Sequence, residues 1–202
     1  MGSTGEGVSM MNYDRMRHGL RGMFFNILGW REHALAAYRD CHAADPAHVE
    51  TMRMLGWLEA QQERWAASQA WYERAIEIAP DDAHAWFNLG YARDKAGADE
   101  AALAALRRAT ELDPKNDRAW YGLGMLHARH GRHADAAAAL TEAGRLQPMN
   151  GLAWYALGMA WQQCNEADKV AAAIEHTLTH DPQTAQRLIR DTGRSDYAHR
   201  LG

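Results

Sequence analysis

The sequence predicts an all-α chain made of one helix pair repeated and stacked. Three sets of residues carry that prediction. All five prolines lie 34 residues apart, at Pro46, Pro80, Pro114, Pro148 and Pro182. Gly56, Gly90, Gly124 and Gly158 keep the same step, and so do Trp86, Trp120 and Trp154. A period of that length marks a unit that buries its apolar face against the next copy, rather than one mixed core.

The period divides the chain into five units: Arg15–His48, Val49–Asp82, Ala83–Asn116, Asp117–Asn150 and Gly151–Thr184. In the third, Trp86, Leu89 and Gly90 recur at helical spacing, and Ala102, Leu106 and Ala109 do so further on. Each half fits an amphipathic helix of about three turns. Asp82, Asn116, Asn150 and Thr184 share the place before each new first helix, where a side-chain oxygen accepts from the first turn. Gly29, Gly97 and Gly131 stand between the two helices, suited to the left-handed conformation that ends a helix. Asn165 is the next most tolerant residue there, whereas Glu63 departs from the pattern and suggests a different turn. Each proline follows a second helix, which it cannot continue. Gly56, Gly90, Gly124 and Gly158 sit inside first helices, where glycine costs roughly 1 kcal/mol against alanine. Close helix-on-helix approach is the expected compensation, with Ser68, Ala102, Ala136 and Val170 facing across the crossing.

At this point the chain resembles a known family. Trp86-x-x-Leu89-Gly90, Trp120-x-x-Leu123-Gly124 and Trp154-x-x-Leu157-Gly158, each followed on schedule by a small residue and Pro, are similar to the tetratricopeptide repeat signature. The likeness runs from Arg15 to Thr184. It implies a right-handed α-solenoid of antiparallel helix pairs, a superhelix whose inner surface holds protein partners. The second unit departs mildly, with Met52 in place of Trp. The first departs more, with His18, Arg21 and Gly22 at the signature positions and a register open to rotation. Residues 1–14, beginning MGSTGEGVSM, are expected to form a disordered leader or a tag remnant. Residues 185–202 complete the chain, with a capping helix over Gln183–Asp191 and a short mobile tail after it.

Apolar residues make up 47% of the 202, enough to fill such a stack. The net charge of −4 argues against a general nucleic-acid binder, which needs a strong basic excess. Cys41 and Cys164 fall in the first and last units and read as reduced thiols of a cytosolic protein. Gly19–Trp30 is the most apolar early stretch, but Arg21, Asn26 and its length exclude a membrane span. No secretory signal is visible, which favours the cytoplasm. The Ala- and Arg-rich wording suggests a bacterial source.

On each first helix the signature Trp, Leu and Gly point inward, and the opposite side is free. The resemblance implies that this side lines the concave surface. The residues it carries form the expected peptide-binding set: Arg53, Trp57, Phe87, Asn88, Tyr91, Lys95, Arg118, Tyr121, Met125, Arg129, Tyr155 and Met159. Phe87, Tyr121 and Tyr155 make one ladder at a single repeat position; Trp57, Tyr91, Met125 and Met159 make another. Aromatic, Met and Arg residues on an open face are typical of contact sites, and the basic members suit a partner with apolar anchors and some acidic character. Some members of the family hold a C-terminal carboxylate with Lys, Asn and Arg. That clamp would fall on Arg53, Trp57, Asn88, Arg118 and Gly122, and it fails at Trp57 and Gly122. In the first helix Met16, Phe24, Phe25, Ile27 and Leu28 exceed what one face can bury, which suggests self-association as monomer-to-dimer pairing.

His127, His130 and His133 follow at three-residue steps, and His176 and His180 form an i, i+4 pair. Both groups read as solvated surface histidines, and no metal or cofactor is expected. No phosphate loop, nucleophile elbow or paired-Cys motif is present, so no enzyme is expected. The sequence therefore reads as a non-catalytic adaptor or chaperone that binds a peptide segment. A self-assembling scaffold, or a non-catalytic subunit of an enzyme complex, are the alternatives.

Overall fold

In the computed structural model, residues 4–200 are described, with side chains from 13 to 197. The described residues form α-helices and one closing 3-10 helix, with no strand. The helices are α1 (Thr4–Ile27), α2 (Arg31–Ala44), α3 (Val49–Ala60), α4 (Trp65–Ile78), α5 (Ala83–Lys95), α6 (Asp99–Leu112), α7 (Asp117–Arg129), α8 (His133–Leu146), α9 (Gly151–Gln163), α10 (Ala167–His180) and α11 (Pro182–Asp191). Helices α1 to α10 are the five expected pairs, and α11 follows them. Helix α1 starts at Thr4 and so takes in most of the segment expected to be an unstructured leader; residues 1–3 lie outside the described residues.

The chain forms two compact units, Met1–Ala105 and Leu106–Gly202. In the first, Leu35, Tyr38, Leu55 and Leu58 make one core cluster, and Met52, Tyr72 and Leu89 make the next. A buried carboxylate, Glu59, is met there by Arg39 at 2.9 Å and Arg64 at 3.4 Å, the pairing that burial of a charge requires. In the second, Ala136, Leu140 and Leu157 form one cluster, while Val170, Ile174, Leu188 and Ile189 form another.

The expected helix starts hold at three places. Asp82 accepts from the backbone of His84 and Ala85 at 3.0 and 3.1 Å, Asn116 from Ala119 at 3.0 Å, and Asn150 from Ala153 at 3.3 Å. In the second repeat His48 does the same through its ring, accepting from Thr51 at 3.3 Å. Thr184 is not a cap. Pro182, with its ring-fixed φ, opens α11 early, so Asp181 caps it and accepts from the Thr184 amide at 3.1 Å and hydroxyl at 2.6 Å. Those bonds hold the Asp181 carboxyl below the usual carboxylate range.

The turns between paired helices are alike. Gly29, Gly97 and Gly131 have φ near +70°, Asn165 has +59° and Glu63 has +58°. Glu63 therefore makes the same turn as the glycines, not a different one, because the helix ends leave no other path.

The glycines inside the first helices do mark close approach, but mostly not to the small residues expected opposite. What crosses them is the large side chain sixteen residues later. A Cβ on Gly22 would lie 2.6 Å from the Tyr38 ring, on Gly56 2.9 Å from Tyr72, and on Gly124 2.6 Å from Leu140. At Gly124 the expected small residue is close as well, with the Ala136 carbonyl at 3.2 Å. At Gly158 the intruder is Leu188 of α11, at 2.8 Å. Gly22 repeats the contact of Gly56, so the first repeat keeps its register and is not rotated.

The Trp and Pro periods are also linked. The Trp86 indole donates to the Pro80 carbonyl at 2.8 Å, and Trp120 donates to Pro114 at 3.0 Å. In the last repeat His176 takes the Pro148 carbonyl at 2.7 Å and stacks on Trp154 with centroids 3.8 Å apart. The buried Trp154 N–H has no protein partner. From α11 to residue 200 the chain is not a loose tail. Residues Ser195–Arg200 form the 3-10 helix, Arg194 donates to the Ala167 carbonyl at 3.0 Å, and Tyr197 packs on the last core cluster.

Two substitutions check these assignments by urea denaturation. Glu63→Gly removes a side chain from a left-handed position and raises stability by about 1 kcal/mol; a fall would mean that the turn is not strained. Gly124→Ala forces Leu140 aside and lowers stability by roughly 1–3 kcal/mol.

Candidate functional site

The two expected ladders differ in what they touch. Arg53 occupies the same repeat position as Phe87, Tyr121 and Tyr155. Its guanidinium reaches the Asp82 carboxylate at 3.1 and 3.2 Å and also pairs with Glu50. Arg53 is thus engaged within the repeat stack, not held ready for an acidic partner. Tyr155 is engaged likewise, its hydroxyl donating to Asp191 of α11 at 2.8 Å, with the Arg187 guanidinium 4.2 Å over its ring. Phe87 and Tyr121 are half-buried. The second ladder is more open, with Trp57, Tyr91 and Met125 about 40% exposed and Met159 half-buried.

In the first unit these residues surround an open cavity of about 370 Å³. Trp57 and Gln61 of α3, Trp65 of α4, and Phe87, Asn88 and Tyr91 of α5 line it. Trp65 meets Tyr91 edge-on with centroids 6.1 Å apart, which fixes the ring. Lys95 lies 5.5 Å over the same ring with its ammonium exposed. Asn88 spends its amide on the His84 carbonyl at 2.8 Å, one turn back in its own helix. With Arg53 also engaged, the carboxylate clamp finds no support at either residue.

The second unit has a cavity of about 320 Å³, lined chiefly by apolar groups. Tyr121 and Met125 come from α7, Leu152, Tyr155 and Met159 from α9, and Arg187 from α11. Arg118 and Arg129 are exposed on α7. Sequence reasoning missed Trp65, His133 and Arg187 as lining residues, because they lie on second or capping helices. The i, i+4 spacing of Arg187 and Asp191 was the available signal.

Met16, Phe24 and Ile27 of α1, and Leu28 just after it, are exposed. Phe25 is not part of that face. It packs on the cluster of Leu35, Tyr38 and Leu55 and stacks on Trp30 at 6.0 Å, because it projects toward α2.

The histidines are not all solvated. His127 is buried and its ring Nδ1 has no protein partner; burial pushes its pKa below the ordinary value. His176 and His180 stack at 4.3 Å. Among the described residues no group of three or more His, Cys, Asp or Glu side chains is gathered as for a metal ion. Nor is any described helix long and apolar enough to cross a membrane.

A family model described as Tetratricopeptide repeat matches overlapping segments at residues 31–83, 54–117, 87–148 and 121–176. The chain belongs to the tetratricopeptide repeat family. No curated protein sequence matches it. Among solved structures, this tetratricopeptide repeat protein is similar to MamA at 24% identity and a TM-score of 0.75, over 82% of this chain and 96% of that one. It is similar to YrrB at 18% identity and a TM-score of 0.73, over 92% and 96%. It is also similar to PilF of Pseudomonas aeruginosa at 17% identity and a TM-score of 0.74, over 92% and 89%. YrrB is described as having an unusual peptide-binding site. At these identities the likeness is one of fold.

The Tyr155 bond has a measurable sign. It is the main cause, with Arg190 next, holding the Asp191 carboxyl below the usual carboxylate range. A depressed acid contributes stability above its unfolded pKa and loses it as pH falls through its folded pKa. In Tyr155→Phe, the Asp191 titration followed by NMR is expected to move up toward the ordinary value. An unmoved midpoint would remove this bond as the cause.

Proposed function

We propose that this tetratricopeptide repeat protein is a non-catalytic adaptor that holds a peptide segment of a partner protein on its first-helix faces. One observation carries the reading. In each unit, aromatic and Met side chains from two consecutive first helices line an open cavity: Trp57 with Tyr91, and Met125 with Met159. Cavities of this size take single large apolar side chains, so the partner is recognised by spaced apolar anchors. The receptor side chains are braced beforehand, Tyr91 by Trp65 and Tyr155 by Asp191, so binding orders little. The peptide-binding site named for YrrB supports the same class of ligand.

Exposed Lys95 and Arg118 favour some acidic character in the partner, and Arg53 drops out of that argument. The non-catalytic reading rests on the sequence, which has no convergent nucleophile, base and oxyanion set. We also assign the protein to a bacterial cytoplasm, where unpaired Cys41 and Cys164 stay reduced. A chaperone role would follow if the bound segment is one its partner buries after release.

Panning a random peptide library against the full chain tests this. Selected peptides should carry two or more spaced Leu, Met, Phe or Trp residues. Met125→Glu with Leu152→Glu, both at exposed positions, should weaken the best peptide at least about tenfold while far-ultraviolet dichroism stays unchanged. Equal binding by that variant, or no enrichment at all, overturns the reading.

A further inference from the structure

Helix α1 carries two apolar faces, and its own repeat covers only one. The covered side meets α2. Gly22 lies under Tyr38, Phe25 enters the first core cluster, and Arg15 pairs with Asp45 at 3.1 Å. Tyr13, Met16, Leu20, Met23, Phe24 and Ile27 point the other way, each between 49% and 75% exposed. Helices α1 and α11 differ in this. On α11 the exposed residues are Pro182, Gln183, Gln186, Arg187, Arg190 and Asp191, the polar outer side that solubility requires of a terminal helix.

The α1 stripe has the spacing of a helix that faces another helix. Tyr13, Leu20 and Ile27 follow at seven residues, and Met16 and Met23 fall three after the first two. That alternation of three and four is the seam of a two-helix coiled coil. At roughly 150–250 Å² for each large side chain, half exposure of six gives roughly 450–750 Å². The upper part of that range reaches the ~600–1,000 Å² that each partner contributes to a standard interface. It lies at the top of, or above, the ~300–600 Å² patch usual on a monomer.

We infer that the occupant is a second copy of this chain, with the two α1 helices antiparallel about a twofold axis at Leu20. Five of the six stripe residues are symmetric about that residue, and Met23 comes opposite Arg17. Tyr13 and Ile27 stand seven residues to either side, and Met16 and Phe24 four. An antiparallel pair therefore sets Tyr13 on Ile27, Met16 on Phe24 and Leu20 on itself, so one patch serves both copies. The flanking charges agree. Arg17 faces Met23, Arg21 faces Gly19 and Asp14 faces Asn26, so no like charges meet. Opposed helix dipoles favour the same orientation. The peptide cavities use none of these residues, so the inference goes beyond the adaptor reading and stands or falls apart from it.

Sedimentation equilibrium of the full chain, from about 1 to about 200 µM, tests the inference. A dimer is expected. Leu20→Glu with Phe24→Glu should give a monomer over the whole range, with helicity and library-peptide binding retained, because both positions are exposed. Leu20→Cys, with Cys164→Ser and with Cys41 buried, should link into a covalent dimer on mild oxidation. A parent chain that stays monomeric overturns the proposal and leaves the face to another partner. So does a dimer that survives the double charge variant. Linkage through Tyr13→Cys in place of Leu20→Cys overturns the antiparallel register.

Discussion

Everything in this fold depends on a missing side chain. In the first helix of the repeat one glycine leaves a gap, and the large residue sixteen positions on passes through it. Tyr38, Tyr72 and Leu140 fill that gap in the first, second and fourth repeats. The contact draws the paired helices together and sets which side of the first helix turns inward. Interiors pack to near-crystalline density, so even a methyl group there has nowhere to go. Once that distance is fixed, the Trp indole reaches the Pro carbonyl before it, and the polar cap lands at the start of the next helix. In the last repeat Leu188 of α11 comes over the glycine, so the capping helix is bound by the rule that binds the pairs.

Much of this was legible because backbone requirements leave clear marks. Caps at Asp82, Asn116 and Asn150, left-handed turns at Gly29, Gly97 and Gly131, and a proline after each second helix are all local demands. A residue that breaks the local rule was harder to read. Glu63 looked like a different turn because propensity speaks against it, yet the helix ends on either side impose the same path. Side-chain partners across repeats were not legible. Arg53 meets Asp82 29 residues on, and Tyr155 meets Asp191 36 residues on. A helical wheel sees only that both residues lie on the open side. It says nothing of a partner that reaches over from the next repeat. Phe25 shows the same limit at short range, since five large apolar residues in thirteen cannot be assigned to two faces without knowing where α2 lies.

The proposed binding surface narrows accordingly. One ladder position is largely structural, with Arg53 and Tyr155 tied to the neighbouring element. The other, at Trp57, Tyr91 and Met125, keeps its rings and thioether turned outward. The proposed site thus has fewer unengaged side chains than the open face suggests. Those residues are joined by Trp65 and Arg187, which come from elements the signature does not mark. Histidine enters in a similar way. His176 takes over a carbonyl that tryptophan holds elsewhere, and His127 is buried without a protein partner for one ring nitrogen.

Asp82 serves two masters. It closes the first turn of α5 and receives the guanidinium of Arg53 from α3. Fraying at the α5 terminus therefore disturbs the carboxylate that Arg53 of the preceding repeat pairs with. In a stacked array, stability is a sum of repeat terms and neighbour terms. A shared carboxylate makes the neighbour term large at this junction. The start of α5 is thereby coupled to α3 of the repeat before it, and the thermodynamic boundary at this place need not coincide with the 34-residue sequence boundary.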